Sequence, residues 1–125
     1  MSEKAQKVLN TEEILHAQNI VRQLPVGQKV VEAILRLVQS GRPEQSHLAA
    51  VKKHVNWGPG PRASQSFMLA VRAKALLEGR YAPSLDDIAE LAPAILKHRM
   101  GLHFSARAEG LTLNDIIQEM CESIN

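Results

Sequence analysis

The residues with the clearest chemical potential in this 125-residue chain are Gly58-Pro59-Gly60-Pro61-Arg62. The glycines allow tight turns, and Pro61 suits the first turn of a helix because its ring presets φ and its missing N–H breaks no hydrogen bond. Arg62 is therefore predicted at a helix N-terminus, where the macrodipole favours negative charge. Since local stability does not explain a cation there, the arrangement favours reception of a phosphate oxygen.

Periodic apolar residues predict a series of short helices around this element. Ser84 with Asp87, and Thr112 with Asp115, have the spacing of capping boxes that begin two further helices. Pro93 falls inside the first of these two, so we expect a kink or two abutting helices there. A short extended segment is expected near 102–104. The other predicted helices cover about 10–24, 28–40, 49–55 and 61–78.

Composition narrows the fold class and the partners. Hydrophobic residues make up 45% and aromatic residues only 3% of the chain, which favours an all-α domain, a small bundle of about five to six helices. A net charge of +2 predicts neither a nucleic-acid nor a membrane surface. The single cysteine, Cys121, permits no internal disulfide, and no apolar run approaches 18 residues. These features predict a cytoplasmic location.

Three blocks of sequence, in this order, resemble the carboxy-terminal helical lid of the MoxR branch of AAA+ ATPases. They are residues 57–65, residues 74–81 continuing into 84–88, and residues 95–100. The resemblance covers most of the chain. It implies a leader or boundary segment at 1–9, followed by a lid domain at 10–125 that belongs to a larger bacterial ATPase.

The resemblance also implies a function for the arginine at the start of the third lid helix. Arg62 would be the second sensor, contacting the phosphates of ATP, with Gly58, Gly60 and Pro61 beside the nucleotide. ATP or ADP with Mg²⁺ would be bound together with the α/β domain that carries the phosphate loop. The chain has neither a Gly-Lys-Ser/Thr loop nor an apolar strand ending in an acid. Alone, it is expected neither to hold nucleotide nor to hydrolyse ATP.

The partners implied by the resemblance are the amino-terminal α/β domain of the same protein and the neighbouring subunits of a chaperone-like ring, expected to contain six. Proteins with a von Willebrand factor A domain are a further expected partner. His98 and Arg99 could contact the catalytic domain or the next subunit, or they could cap the C-terminus of the preceding helix. The cap is the preferred interpretation.

Several residues have simpler interpretations. Arg62 could pair with a carboxylate of its own domain, and Trp57 is expected in the core or at its rim rather than against adenine. Lys74 is expected to lie along its helix, and Arg80 to be exposed in a Gly-Arg turn. The five histidines show no metal-ligand spacing, so no metal site is predicted.

The sequence also allows a function of a different class, that of a binding module. The chain could be a helical adaptor or a helix-turn-helix DNA-binding module with Lys52, Lys53, Arg62 and Arg72 as its contact face. These basic residues are interspersed with acidic and apolar positions, which argues against a recognition helix.

Overall fold

The computed structural model of the chain describes residues 24–124. Within this range lie six helices and two short strands, which confirms a small all-α bundle. The predicted leader, and the predicted helix over 10–24 except for its last residue, lie outside the described residues. The elements are α1 (Gln28–Ser40), α2 (Ala49–His54), β1 (Val55–Trp57), α3 (Pro61–Leu77), α4 (Leu85–Leu96), β2 (Gly101–Leu102), α5 (Phe104–Ala108) and α6 (Leu113–Ser123).

Helix α3 is the central element of the bundle. Its buried residues recur at every fourth position, so they form one narrow stripe along the helix: Ala63, Phe67, Val71 and Ala75. This stripe packs most extensively against α4 and also against α1, and α1 in turn contacts α4 and α6. The helix begins with Pro61 and is followed by Gly79, whose φ of 73° ends it as predicted.

Two short strands, of which only the second was expected, join distant parts of the chain. β1 and β2 pair antiparallel, with Val55 opposite Leu102 and Trp57 opposite Gly101. The short extended segment expected near 102–104 is therefore shifted to Gly101–Leu102, since Phe104 already begins α5. The helix predicted over 49–55 ends at His54, because Val55 leaves the helix to pair with β2.

Helix α4 runs without interruption through Pro93, contrary to the expected pair of abutting helices. Pro93 lies on the exposed side of the helix, so its missing N–H costs one hydrogen bond without removing the buried face formed by residues such as Ile88 and Ala92.

At the start of α6, Thr112 and Asp115 form the predicted capping box: Asp115 N donates to Thr112 Oγ1 at 3.2 Å, and Thr112 N donates to Asp115 Oδ2 at 3.0 Å.

A buried carboxylate joins the end of α3 to the start of α4. Asp87, with 3% of its side chain exposed, accepts two hydrogen bonds from the Arg80 guanidinium at 2.7 and 2.9 Å. It also accepts from Lys74 Nζ at 3.0 Å and from Ser84 N at 2.7 Å. The expected exposed Arg80 is thus wrong, because a neighbouring helix supplies a buried anion. Lys74 does pair with Glu78 on its own helix, at 2.6 Å, but it also reaches across to the carboxylates of α4.

The electrostatics of this cluster follow from its geometry. Burial alone raises the pKa of the Asp87 carboxyl, but the hydrogen bonds from Arg80, Ser84 and Lys74 outweigh burial and hold this pKa well below its usual range. The pKa of Lys74 is raised by hydrogen bonds to Glu78, Glu90 and Asp87. Each partner is therefore held in its charged form.

We expect Asp87→Asn to destabilise the fold by about 2 kcal/mol at neutral pH, because it removes a charged acceptor of four hydrogen bonds.

A lowered pKa in the folded state stabilises the protein above the carboxyl's ordinary pKa of about 4, and this contribution is lost as pH falls further. The free energy of unfolding of the native chain should therefore decrease below pH 4. Urea denaturation measured at several pH values should show a smaller decrease for Asp87→Asn. Asp86→Asn is the matched control, since Asp86 is exposed one position away, and an equal loss in both variants would contradict the assignment.

Candidate functional site

The amino-terminal end of α3 is positively charged and open. Its N-cap is Gly60, which supplies no side-chain hydrogen bond, and its first turn contains no acidic residue. The helix dipole is therefore not compensated locally. Arg62 is exposed in this turn and forms no ion pair with any residue between 24 and 124. Within that range, the alternative in which Arg62 pairs with a carboxylate of its own domain finds no support.

Arg62 faces an open cleft of about 440 Å³. The structure brings the predicted residues together here, because this lining contains both the loop before α3 and the residues after α4. It comprises Trp57, Gly58, Gly60, Pro61, Arg62, Ala63, His98 and Arg99. Two guanidinium groups and no carboxylate lie in this lining, so the cleft suits an anion.

Arg99 is a structural tie as well as a wall of the cleft. Its Nη1 donates to Ile95 O at 2.9 Å and caps the C-terminal end of α4, as the preferred interpretation predicted. Its Nη2 donates to Ser66 Oγ on α3 at 3.1 Å. Both acceptors are neutral, so the positive charge of Arg99 is not cancelled by them. His98 is exposed beside it.

The loop that leads into α3 is held against the turn that follows α1. A Cβ on Gly58 would overlap the carbonyl oxygen of Gly41 and lie 2.8 Å from Arg42 Cα, so the two backbones touch directly. Arg42 Nε donates to Pro59 O at 2.7 Å, and Pro59 is buried. No local sequence signal marked Arg42, because its partner is 17 residues away.

Trp57 lies at the rim of the cleft with 52% of its surface exposed. Its indole covers the backbone of Gly101 so closely that a Cβ there would lie 2.6 Å from Trp57 Cε2. The expectation of a core or rim position is thus met at the rim. The side chain thus packs β1 against β2 and also lines the cleft.

The other predicted basic residues do not join this site. Lys52 and Lys53 are exposed on the six-residue α2, and Arg72 lines a separate depression on α3 with Met68 and Leu69. Within residues 24–124, no group of three or more His, Cys, Asp or Glu side chains is arranged to hold a metal ion. No helix in that part of the chain is long and apolar enough to span a membrane.

Known proteins are similar to this chain in sequence and in fold. The family model of the AAA lid domain matches residues 47–120, which is more than half of the chain. The chain therefore belongs to the AAA lid domain family.

Individual proteins are also similar to this chain over most of its length. Chaperone MoxR1 of Mycobacterium tuberculosis is 31% identical over 97% of this chain, and the uncharacterized protein YeaC of Bacillus subtilis is 33% identical over 98%. A solved structure of a candidate ATPase from Cytophaga hutchinsonii superimposes on 91% of the chain with a TM-score of 0.85 and 27% identity. The chain spans only about a third of each of these proteins, 32%, 36% and 35% of their respective lengths.

We expect Gly58→Ala to destabilise the fold by about 2 kcal/mol, because the added methyl group must displace the backbone of Gly41 and Arg42. Thermal unfolding followed by circular dichroism measures this effect. Gly27→Ala is the control, since Gly27 also precedes a helix but has nothing within 4 Å of its Cβ position. It should cost about 0.5 kcal/mol. Equal costs would show that the contact between the two turns yields easily.

Arg99→Met should lower the free energy of unfolding by about 1 kcal/mol, because the aliphatic stem is kept while the hydrogen bonds to Ile95 and Ser66 are lost. His98→Ala changes the adjacent exposed residue and should have little effect. Urea denaturation of both variants measures the difference. If Arg99→Met is as stable as the native chain, the hydrogen bonds of Arg99 do not stabilise the fold.

Proposed function

We propose that this chain is the carboxy-terminal lid of a MoxR-type AAA+ ATPase and that Arg62 is its second sensor. The observation that carries this proposal is the exposed Arg62 guanidinium, unpaired within residues 24–124, at the uncapped start of a 17-residue helix. Family membership and the similarity to MoxR1 support the assignment to an ATPase. The site alone supports the choice of Arg62.

The chemistry of this role requires a cation that no other group neutralises. Negative charge on the phosphoryl oxygens must be stabilised during transfer, and a guanidinium held at a helix N-terminus supplies fixed donors for it. Arg62 would reach the phosphates from the lid side of a cleft whose other wall is the α/β domain. Release of the γ-phosphate would remove its partner and weaken the closed arrangement, so nucleotide state would be coupled to lid motion.

The groups bound at the site divide between two domains. The lining of the cleft offers no carboxylate to a magnesium ion, so this chain would contribute phosphate contacts while Mg²⁺ is held with the phosphate loop. Gly58, Gly60 and Pro61 would form the backbone edge beside the nucleotide, and His98 and Arg99 would face the catalytic domain or the next subunit. A ring of six, a partner with a von Willebrand factor A domain and a bacterial source stay predictions of the resemblance, and the cytoplasmic location stays a prediction from the composition.

We expect Arg62→Ala to lower the kcat for ATP hydrolysis by about 10- to 100-fold in the full ATPase that carries this lid, with KM changed much less. Arg62→Lys should restore only part of the loss, because an ammonium cannot reproduce the planar fork of donors. Steady-state turnover and equilibrium nucleotide binding, measured in parallel, separate the two effects.

Arg107→Ala is the control for this experiment. Arg107 is an exposed arginine on α5 and does not line the cleft, so its removal should leave both constants near the native values. Native turnover in Arg62→Ala would refute the sensor assignment.

A further inference from the structure

The position of Arg62 depends on how the preceding loop is held. Gly60, two residues before it, is exposed, and no atom of residues 24–124 lies within 4 Å of its Cβ position. Ala63, on the other side, is fully buried, and its N–H donates to Gly60 O at 3.0 Å. The chain around Arg62 thus has a firm support behind it and an unpacked residue ahead of it.

The last fixed point before that unpacked residue is Pro59. Pro59 is buried and lies against Gly41, where a Cβ would be 3.0 Å from Pro59 Cδ. Its carbonyl accepts the 2.7 Å hydrogen bond from Arg42 Nε. This is the polar contact that fixes the direction of the chain immediately before Gly60.

Arg42 itself does not line the cleft of Arg62. It is half-buried after α1, and among the described residues its side chain donates one hydrogen bond, to Pro59 O. A group in this place does not contact a ligand in the cleft, so it can act on one through the loop that it holds or through its charge.

We propose that Arg42 is a positioning residue for Arg62: its Nε–H anchors Pro59 and thereby fixes the approach of the Arg62 guanidinium to phosphate. This inference rests on the proposed function. A misplacement of about 1 Å at a catalytic group can cost a large part of the rate. The loss of one anchoring hydrogen bond should therefore appear mainly in kcat.

Two substitutions separate the hydrogen bond from the charge. In Arg42→Gln, the amide Nε2 is the same number of bonds from Cα as the Nε of arginine, so a donor is retained at the same reach while the charge is lost. In Arg42→Met, the length and the apolar stem are kept, but neither a donor nor a charge remains. The difference between these variants reports on the bond to Pro59.

The experiment measures kcat and KM for ATP in the full ATPase, with each Arg42 variant placed in the native and the Arg62→Ala backgrounds. We expect Arg42→Met to lower kcat about three- to tenfold with little change in KM, and Arg42→Gln to restore most of the loss. In the Arg62→Ala background, Arg42→Met should cause no further loss, since the group it positions is gone. Arg36→Ala, an exposed arginine on α1, is the control and should match the native protein.

Native turnover in Arg42→Met would overturn the inference, and so would an equal loss in both backgrounds. An Arg42→Gln variant as slow as Arg42→Met would show that the charge matters rather than the hydrogen bond, which also overturns it. If Arg62→Ala itself turns over normally, the proposed function fails first. Should Arg42→Met melt below the assay temperature, Arg42→Lys replaces it, because it keeps the charge but moves the donor by one bond; the same dependence on Arg62 is expected.

Discussion

The direct contact between two backbone turns is the constraint on which the functional edge of this domain depends. Gly58 rests on the main chain of Gly41 and Arg42, and neither surface leaves room for a side chain between them. The depth of this contact sets where the chain enters α3, and the buried Pro59 and its bond to Arg42 set the direction of entry. Because α3 packs against both α1 and α4, the same contact also relates Arg62 to the residues after α4 that complete the cleft.

The arginines of the domain have different tasks, and their partners show which task each has. Arg80 is committed to a buried carboxylate, and Arg42 and Arg99 are bound to neutral oxygens of the chain. Arg62 lies exposed at a helix end with no such partner between residues 24 and 124. The charge of Arg80 is therefore neutralised within the domain, while the charges of Arg62 and Arg99 at the cleft are not neutralised by the residues that line it.

Features that arise from local sequence were predictable. The start of α3 at Pro61, its stop before Gly79 and the capping box of Thr112 with Asp115 each depend on residues only a few positions apart. Six of the residues that line the cleft were named in advance. Gly58, Gly60, Pro61 and Arg62 follow from the positional preferences of these residue types at a helix start together with the family resemblance, and His98 and Arg99 from the resemblance.

Features that arise from distant residues were not predictable. An extended segment was expected at Leu102, but its pairing with Val55 was not, because Val55 closes a stretch predicted as helix and lies 47 positions away. Asp87 was recognised as part of a cap, but its burial beneath Arg80 and Lys74 requires the packing of α3 against α4. Ser66 gave no signal at all, since a serine on a helix surface becomes a partner for Arg99, 33 positions further along the chain, only after the chain has folded back.

These sequence separations also give the domain an order of assembly. The α3–α4 hairpin needs only the short turn around Gly79, and the ion pairs of Asp87 close within 13 residues along the chain. The cleft needs contacts that span 17 residues from Arg42, 33 residues to Arg99 and the still longer pairing of β1 with β2. Because longer loops cost more entropy to close, the hairpin should form early in folding and the edge that contains the cleft late. A newly synthesised chain that has emerged only as far as α4 would therefore contain Arg62 on a formed helix but without the wall opposite it.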